Sequence, residues 1–293
     1  MAVAITRPKA LPVSLAALAA AGLWLYAPVL VEMARAWMTQ DNASHGFLVA
    51  PIAAYVAWLN RGGITQAYQR GATAAGLAWA VVAALMYVGG RWLEVEFLPP
   101  LSLVVMVGAQ VLYFGGWRVL RAAAFPYAFL FFMVPWPDLL VEFISFPMQL
   151  FSAKYATMLA GLLGLAVSRS GVDIHVADYT FSVGAPCSGM KTLVALLALT
   201  ALVAYLSRGP TWKRWALFAA GAPVALLANV VRIVVILFIA AFAGAEAAEG
   251  FLHGASGVVV FALALAGLLL LGRALGLRGI VGSKARGAAD APA

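Results

Sequence analysis

The chain contains one cysteine in 293 residues, in Ala185-Pro186-Cys187-Ser188-Gly189-Met190-Lys191, where an alternating polar segment gives way to an apolar run. A thiol at a helix start is chemically distinctive. The thiolate is the reactive form, and the free N–H groups and dipole of a helix N-terminus lower its pKa. Pro186 before it and Ser188-Gly189 after it suit a sharp turn into a helix, which Ser188 could cap as readily as Cys187. The competing reading is a lone cysteine buried as a small hydrophobe.

Two further residues bear on that choice. Arg232 interrupts an otherwise apolar span, ten residues before Phe242, which is about 15 Å of helix. That is far for a snorkelling side chain, and a mid-membrane arginine costs about 2.5–3.5 kcal/mol on insertion scales. A polar pocket lined by protein is the better expectation. Asn229, at i−3, shares its helix face and is expected to orient the guanidinium. His253 opens the next span, and Ser256-Gly257 after it are small residues that permit close helix approach. Histidine can hold or take a thiol proton, and arginine can stabilise a developing oxyanion. Together they are equipment for acyl transfer through a thioester. His175, close to Cys187 in sequence, is an alternative base, although its alternation with apolar neighbours suits a solvated strand position. His45, in Ser44-His45-Gly46-Phe47, either lines a substrate entry or sits in an interfacial turn.

The elements that must position these groups are transmembrane. The chain is 65% hydrophobic and 10% charged, with a mean hydropathy of +0.97. Soluble domains are near half apolar and a quarter charged. Apolar runs recur at about spanning length, near 20 residues each. The first, about Leu11 to Val31, is too long for a signal-peptide core and is taken as an uncleaved helix. The expected architecture is an all-α polytopic membrane protein. It has about eight transmembrane helices, an interfacial helix over Asp138–Val167 and a small extracytoplasmic β-hairpin over Gly171–Gly184. The interfacial assignment rests on Asp138, Glu142, Gln149 and Lys154, and the hairpin on period-two alternation either side of Ala177-Asp178. Gly244 to Leu252 is expected to be a short acidic loop. Residues 1–272 form one transmembrane domain, and 273–293 form a basic cytoplasmic tail, expected to be disordered.

Charge supports that arrangement. The proposed cytoplasmic segments hold 13 of the 19 basic residues, whereas Asp290 alone of the 11 acidic residues falls among them. The net charge of +8 therefore reflects the loop bias, and no basic stripe with interleaved aromatics points to nucleic acid. One cysteine excludes an internal disulfide and a multi-cysteine metal centre. No cofactor or metal is expected.

The motifs Ala185-Pro186-Cys187-Ser188-Gly189, Asn229-Val230-Val231-Arg232, Glu249-Gly250-Phe251-Leu252-His253 with Ser256-Gly257, Ser44-His45-Gly46-Phe47-Leu48-Val49 and Met133-Val134-Pro135-Trp136-Pro137 resemble the exosortase/archaeosortase family of membrane cysteine transpeptidases. The resemblance runs from about Leu11 to Leu271. It implies a multi-pass protein of the bacterial inner membrane with its active site facing the periplasm. Its substrates would be membrane-anchored proteins bearing C-terminal sorting signals of the PEP-CTERM type: a Pro-Glu-Pro-like motif, a transmembrane helix and a basic end. Members often occur beside exopolysaccharide genes. The family role of nucleophile falls on Cys187, with Arg232 and His253 as partners. Asn229, Ser188, Gly189, His45 and Ser256 would be supporting or substrate-contacting residues. The acceptor of the acyl group is unspecified. Two other classes of function compete: a transporter with Arg232 in its path, indifferent to Cys187, and a scaffold for exopolysaccharide assembly.

Overall fold

In a computed structural model of the chain, residues 11–40, 43–68, 71–176, 179–184, 190–253 and 256–278 are described. Helices dominate. They are α1 (Leu11–Thr39), α2 (Gly46–Leu59), α3 (Arg61–Gln66), α4 (Thr73–Trp92), α5 (Leu98–Ala122), α6 (Ala124–Phe129), α7 (Asp138–Leu162), α8 (Met190–Leu206), α9 (Thr211–Ala243), α10 (Ala245–His253) and α11 (Ser256–Ala274). A 3-10 turn, Leu130–Met133, follows α6, and three strands, β1 (Val167–Ser170), β2 (Asp173–Val176) and β3 (Tyr179–Ser182), lie between α7 and α8.

Among the described residues, α4, α5, α9 and α11 are long and apolar enough to cross a membrane. The stretch from α6 through α7 would add a fifth crossing, but it bends by 88° at residues 134–137. The bend falls on Pro135-Trp136-Pro137, where prolines bar helical continuation. The α2 helix, with 14 residues, is about 21 Å long against about 30 Å of hydrocarbon. The chain is a multi-span helical membrane protein; among the described residues, length and composition alone identify four or five crossings. Large exposed apolar side chains such as Leu85, Val88, Leu139, Phe143, Leu162 and Val258 ring the outside. A water-facing surface would not tolerate them, whereas lipid accepts them.

Close backbone approach holds the first half together. A Cβ at Gly76 would lie 2.6 Å from the Tyr113 backbone, so only glycine lets α4 and α5 pack so tightly. The α5 helix breaks at Gly116 (φ 73), a conformation that costs glycine alone no steric penalty. The break turns residues 117–122, the last part of α5, aside. Tyr26, Val29 and Met33 of α1, Val49 and Ala53 of α2, Val104, Phe129 and Ala198 share one core cluster.

In the second half, Ala153, Ala156 and Ala160 of α7 pack with Val230, Ile233, Val234 and Leu237 of α9 and with Ile174, Val176 and Phe181 of the sheet. The sheet is an antiparallel meander in the order β1-β2-β3. Ile174 pairs with Phe181 and His175 with Thr180; the first pair is buried and the second exposed, as the pleat requires. The expected hairpin is thus β2–β3, extended by a third strand on β2. The stretch 244–252 is not a loop. Gly244 (φ 88) turns the chain, and α10 packs back on α9 with Ala248 fully buried. At the opposite end α11 reaches Ala274, and Arg278 exchanges backbone hydrogen bonds of 2.8 and 3.1 Å with Arg208.

Candidate active site

The α9 helix carries the polar residues. Its 33 residues make about 50 Å of helix. For an upright helix entering the hydrocarbon at Ala216, just past Trp212 and Trp215, about 20 residues of core end near Val235. Arg232 then lies roughly one turn inside the far boundary rather than at mid-membrane. Its Nε is buried with no hydrogen-bond partner among the described residues. A desolvated cationic donor is costly unless an acceptor meets it.

Asn229, one turn below, is 1% exposed. Its Nδ2 donates to Ser152 Oγ of α7 at 3.0 Å. The amide therefore ties α9 to α7, in addition to any part in orienting the guanidinium. Ser152 is a site residue that motif reading missed. Only its burial follows a pattern: Ser145, Met148, Ser152, Ala156 and Ala160 recur at three- and four-residue spacing and form the buried face of α7.

Cys187, Ser188 and Gly189 lie outside the described residues, as does the side chain of His253. What can be placed are the flanks. Val183, four residues before Cys187, is fully buried in the cluster containing Val230, Ile233 and Val234. Its N–H donates to the Val172 carbonyl at 3.1 Å, fixing the end of β3. Met190, three residues after Cys187, belongs to a second cluster with Met148 and Val194, against which Leu226 and Phe132 pack. On α9, these anchors span residues 226–234, the level of Asn229 and Arg232. His253 is the last residue of α10 rather than the first of the following span, and Ser256, fully buried, begins α11. Phe251, two residues before His253, packs on the Val230–Val234 cluster.

His45 sits in the turn ahead of α2, where its Nε2–H donates to the Phe132 carbonyl at 3.0 Å. A carbonyl only accepts, so Nε2 carries the proton. Burial holds the ring below the ordinary histidine range, outweighing that hydrogen bond. Phe132 also packs on the Met190 cluster, so His45 is connected to the start of α8 through one residue. His175 instead faces outward from β2, 2.9 Å from Thr180 Oγ1.

The same end of the molecule has a cavity of about 610 Å³, lined by Glu32, Arg91, Glu94, Trp136 and Asp138 among others. Arg91 is paired there with Glu32 at 2.8 Å. Among the described residues no group of three or more His, Cys, Asp or Glu could hold a metal ion.

A multi-span helical protein, with a small sheet covering the polar level of one long helix, is the class these features define. The transmembrane exosortase model matches residues 37–270, and the chain belongs to that family. No curated protein and no solved structure matches it.

Proposed function

We propose that this protein is a membrane-embedded cysteine transpeptidase, spanning the bilayer about eight times with both ends in the cytoplasm. In this reading it cleaves C-terminal sorting signals of the PEP-CTERM type on membrane-anchored proteins at the periplasmic face of the inner membrane. His253 takes the thiol proton of Cys187, the resulting thiolate attacks the scissile carbonyl, and the carbonyl electron pair moves onto oxygen. Arg232 stabilises that oxyanion. Collapse breaks the C–N bond, and His253 gives the leaving amine its proton. The product is a thioester at Cys187, which an acceptor nucleophile attacks, releasing the sulfur as thiolate. Docking of the substrate's own anchor helix in the bilayer holds the scissile bond at the site and reduces the entropic barrier. Asn229 positions the α9 face through Ser152.

The observation that carries this reading is the buried Arg232 Nε, without a hydrogen-bond partner among the described residues, at the level of α9 bracketed by Val183 and Met190. A cation held there suits an anion that exists only during reaction. The test is co-expression of the full chain with a tagged substrate carrying such a signal. Cys187→Ala is expected to accumulate unprocessed substrate, and mass spectrometry of the native enzyme to trap an acyl adduct on Cys187. Arg232→Gln is expected to slow processing by about 10²–10³-fold, the range for losing one oxyanion donor. Normal processing by Cys187→Ala would end the proposal.

A further inference from the structure

A second cavity shares Phe132 with the His45 contact and otherwise lies away from the residues above. About 370 Å³ is enclosed between α6, the 3-10 turn, the last turns of α8 and the first turns of α9. Its walls are aromatic: Phe125 stacks on Tyr205 with ring centroids 3.8 Å apart and planes 6° from parallel, and Phe129 and Phe218 line it too. Ala128, Thr211 and Trp215, all exposed, belong to its rim. The cavity therefore opens sideways through the flank of the protein, toward lipid.

One end of this groove is cationic. Arg214 lines it directly. Its Nε donates to the Ala204 carbonyl at 2.7 Å and its Nη2 to the Tyr205 carbonyl at 3.0 Å. Those bonds fix the guanidinium at the C-terminal end of α8. Arg208 and Lys213 bracket Thr211 in the chain, and Arg121 is one turn ahead of Phe125. No acidic residue occurs in residues 98–137 or 190–243, which supply every wall of the groove. Trp117, Trp212 and Trp215 are 46%, 64% and 65% exposed around this end, the aromatic girdle that marks headgroup level.

An apolar slot opening to lipid, with the Arg214 guanidinium fixed at its lip and Arg121, Arg208 and Lys213 close by in the chain, has the shape and charge of an amphiphile site. We propose that this groove binds an anionic glycerophospholipid, one acyl chain between Phe125, Phe129 and Phe218 and the phosphate at the Arg214 lip. A protein segment with a basic end would be repelled by the same cations, so the charge pattern favours lipid over an anchored substrate.

The full chain, purified in mild detergent, is offered phosphatidylglycerol and phosphatidylcholine of identical acyl composition, and retained lipid is read by native mass spectrometry. Phosphatidylglycerol is expected to be retained preferentially. Arg208→Gln and Lys213→Gln, which spare the Arg214 bonds to α8, should each lower that preference up to about fivefold. Ala128→Trp, filling the groove from its exposed rim, should abolish retention of both lipids. Should that variant fail to accumulate, the two charge variants decide. Equal retention of the two lipids by the native protein, or a preference unchanged in both charge variants, would overturn the proposal. So would displacement of the lipid by an apolar helical peptide with a Lys/Arg tail.

Discussion

The contact between Asn229 and Ser152 lends itself to a double-mutant cycle. Both side chains are at most 1% exposed, and their 3.0 Å hydrogen bond joins α9 to α7. Around it Ala153, Ala156 and Ala160 are fully buried, which brings the helices close and leaves no route for water to replace a lost partner. Asn229→Ala removes an interhelical bond averaging about 0.6 kcal/mol, and up to about 1.7, in membrane proteins. It also strands the Ser152 hydroxyl, at about 1 kcal/mol or more. The expected loss is about 2 kcal/mol. Ser152→Ala removes the same bond and leaves the larger amide short of an acceptor, for a loss of about 1–2 kcal/mol. In the double variant the bond is lost only once and neither partner is left stranded, so the two effects should fall short of additivity by about 1.5–3 kcal/mol. Reversible unfolding in mixed micelles of increasing denaturing detergent measures all four corners. Additivity within about 0.3 kcal/mol would refute the hydrogen bond as an energetic link between the helices.

Three other expectations follow from single positions. Ser145 Oγ is buried without a hydrogen-bond partner among the described residues, so Ser145→Ala should leave the protein unchanged or stabilise it by about 1 kcal/mol in the same unfolding assay. Gly76→Ala places a methyl group 2.6 Å from the Tyr113 backbone and should cost about 1–3 kcal/mol as α4 is forced off α5, read as a lower thermal midpoint. His45 is held below its ordinary range by burial. The unfolded chain therefore takes up a proton near pH 6.5 while the folded chain does not. Relative to His45→Gln, stability should be flat above about pH 6.5 and fall below it, by up to about 1.4 kcal/mol per pH unit, until the folded ring itself protonates.

Parts of this architecture are written plainly in the residues. Alternation revealed β2 and β3 because Ile174, Val176 and Phe181 are buried while His175 and Thr180 face out. Strand β1 has no such pattern. Val167-Ser168-Arg169-Ser170 is half-buried at its first residue and exposed at the rest, so only pairing with β2 defines it. Ala245-Glu246-Ala247-Ala248-Glu249 has strong helix formers, yet its acidity and its flanking glycines suggested a loop. Packing on α9 decides its conformation. The polar level on α9 was legible from Asn229 and Arg232 three residues apart in an apolar run, but its partner was not. Ser152 is 77 residues away along the chain from Asn229, and no local pattern announces that contact. The number of spans is less legible: composition separates apolar from polar helices but does not distinguish crossing from lying flat, and the 88° bend at Pro135-Trp136-Pro137 is a tertiary fact.

The length of α9 has a mechanical consequence. A helix of 33 residues with Pro223 in its interior, about 50 Å against a hydrocarbon slab near 30 Å, must lean, bend or protrude, and the slab's depth decides how much of each. With Ala216 at the near boundary, Arg232 would sit close enough to the far one that a thickness change of a few ångströms shifts it between hydrocarbon and headgroups. Acyl-chain length thereby acts as a control on this guanidinium. Reconstitution in bilayers of graded thickness should reveal an optimum, with activity falling on either side.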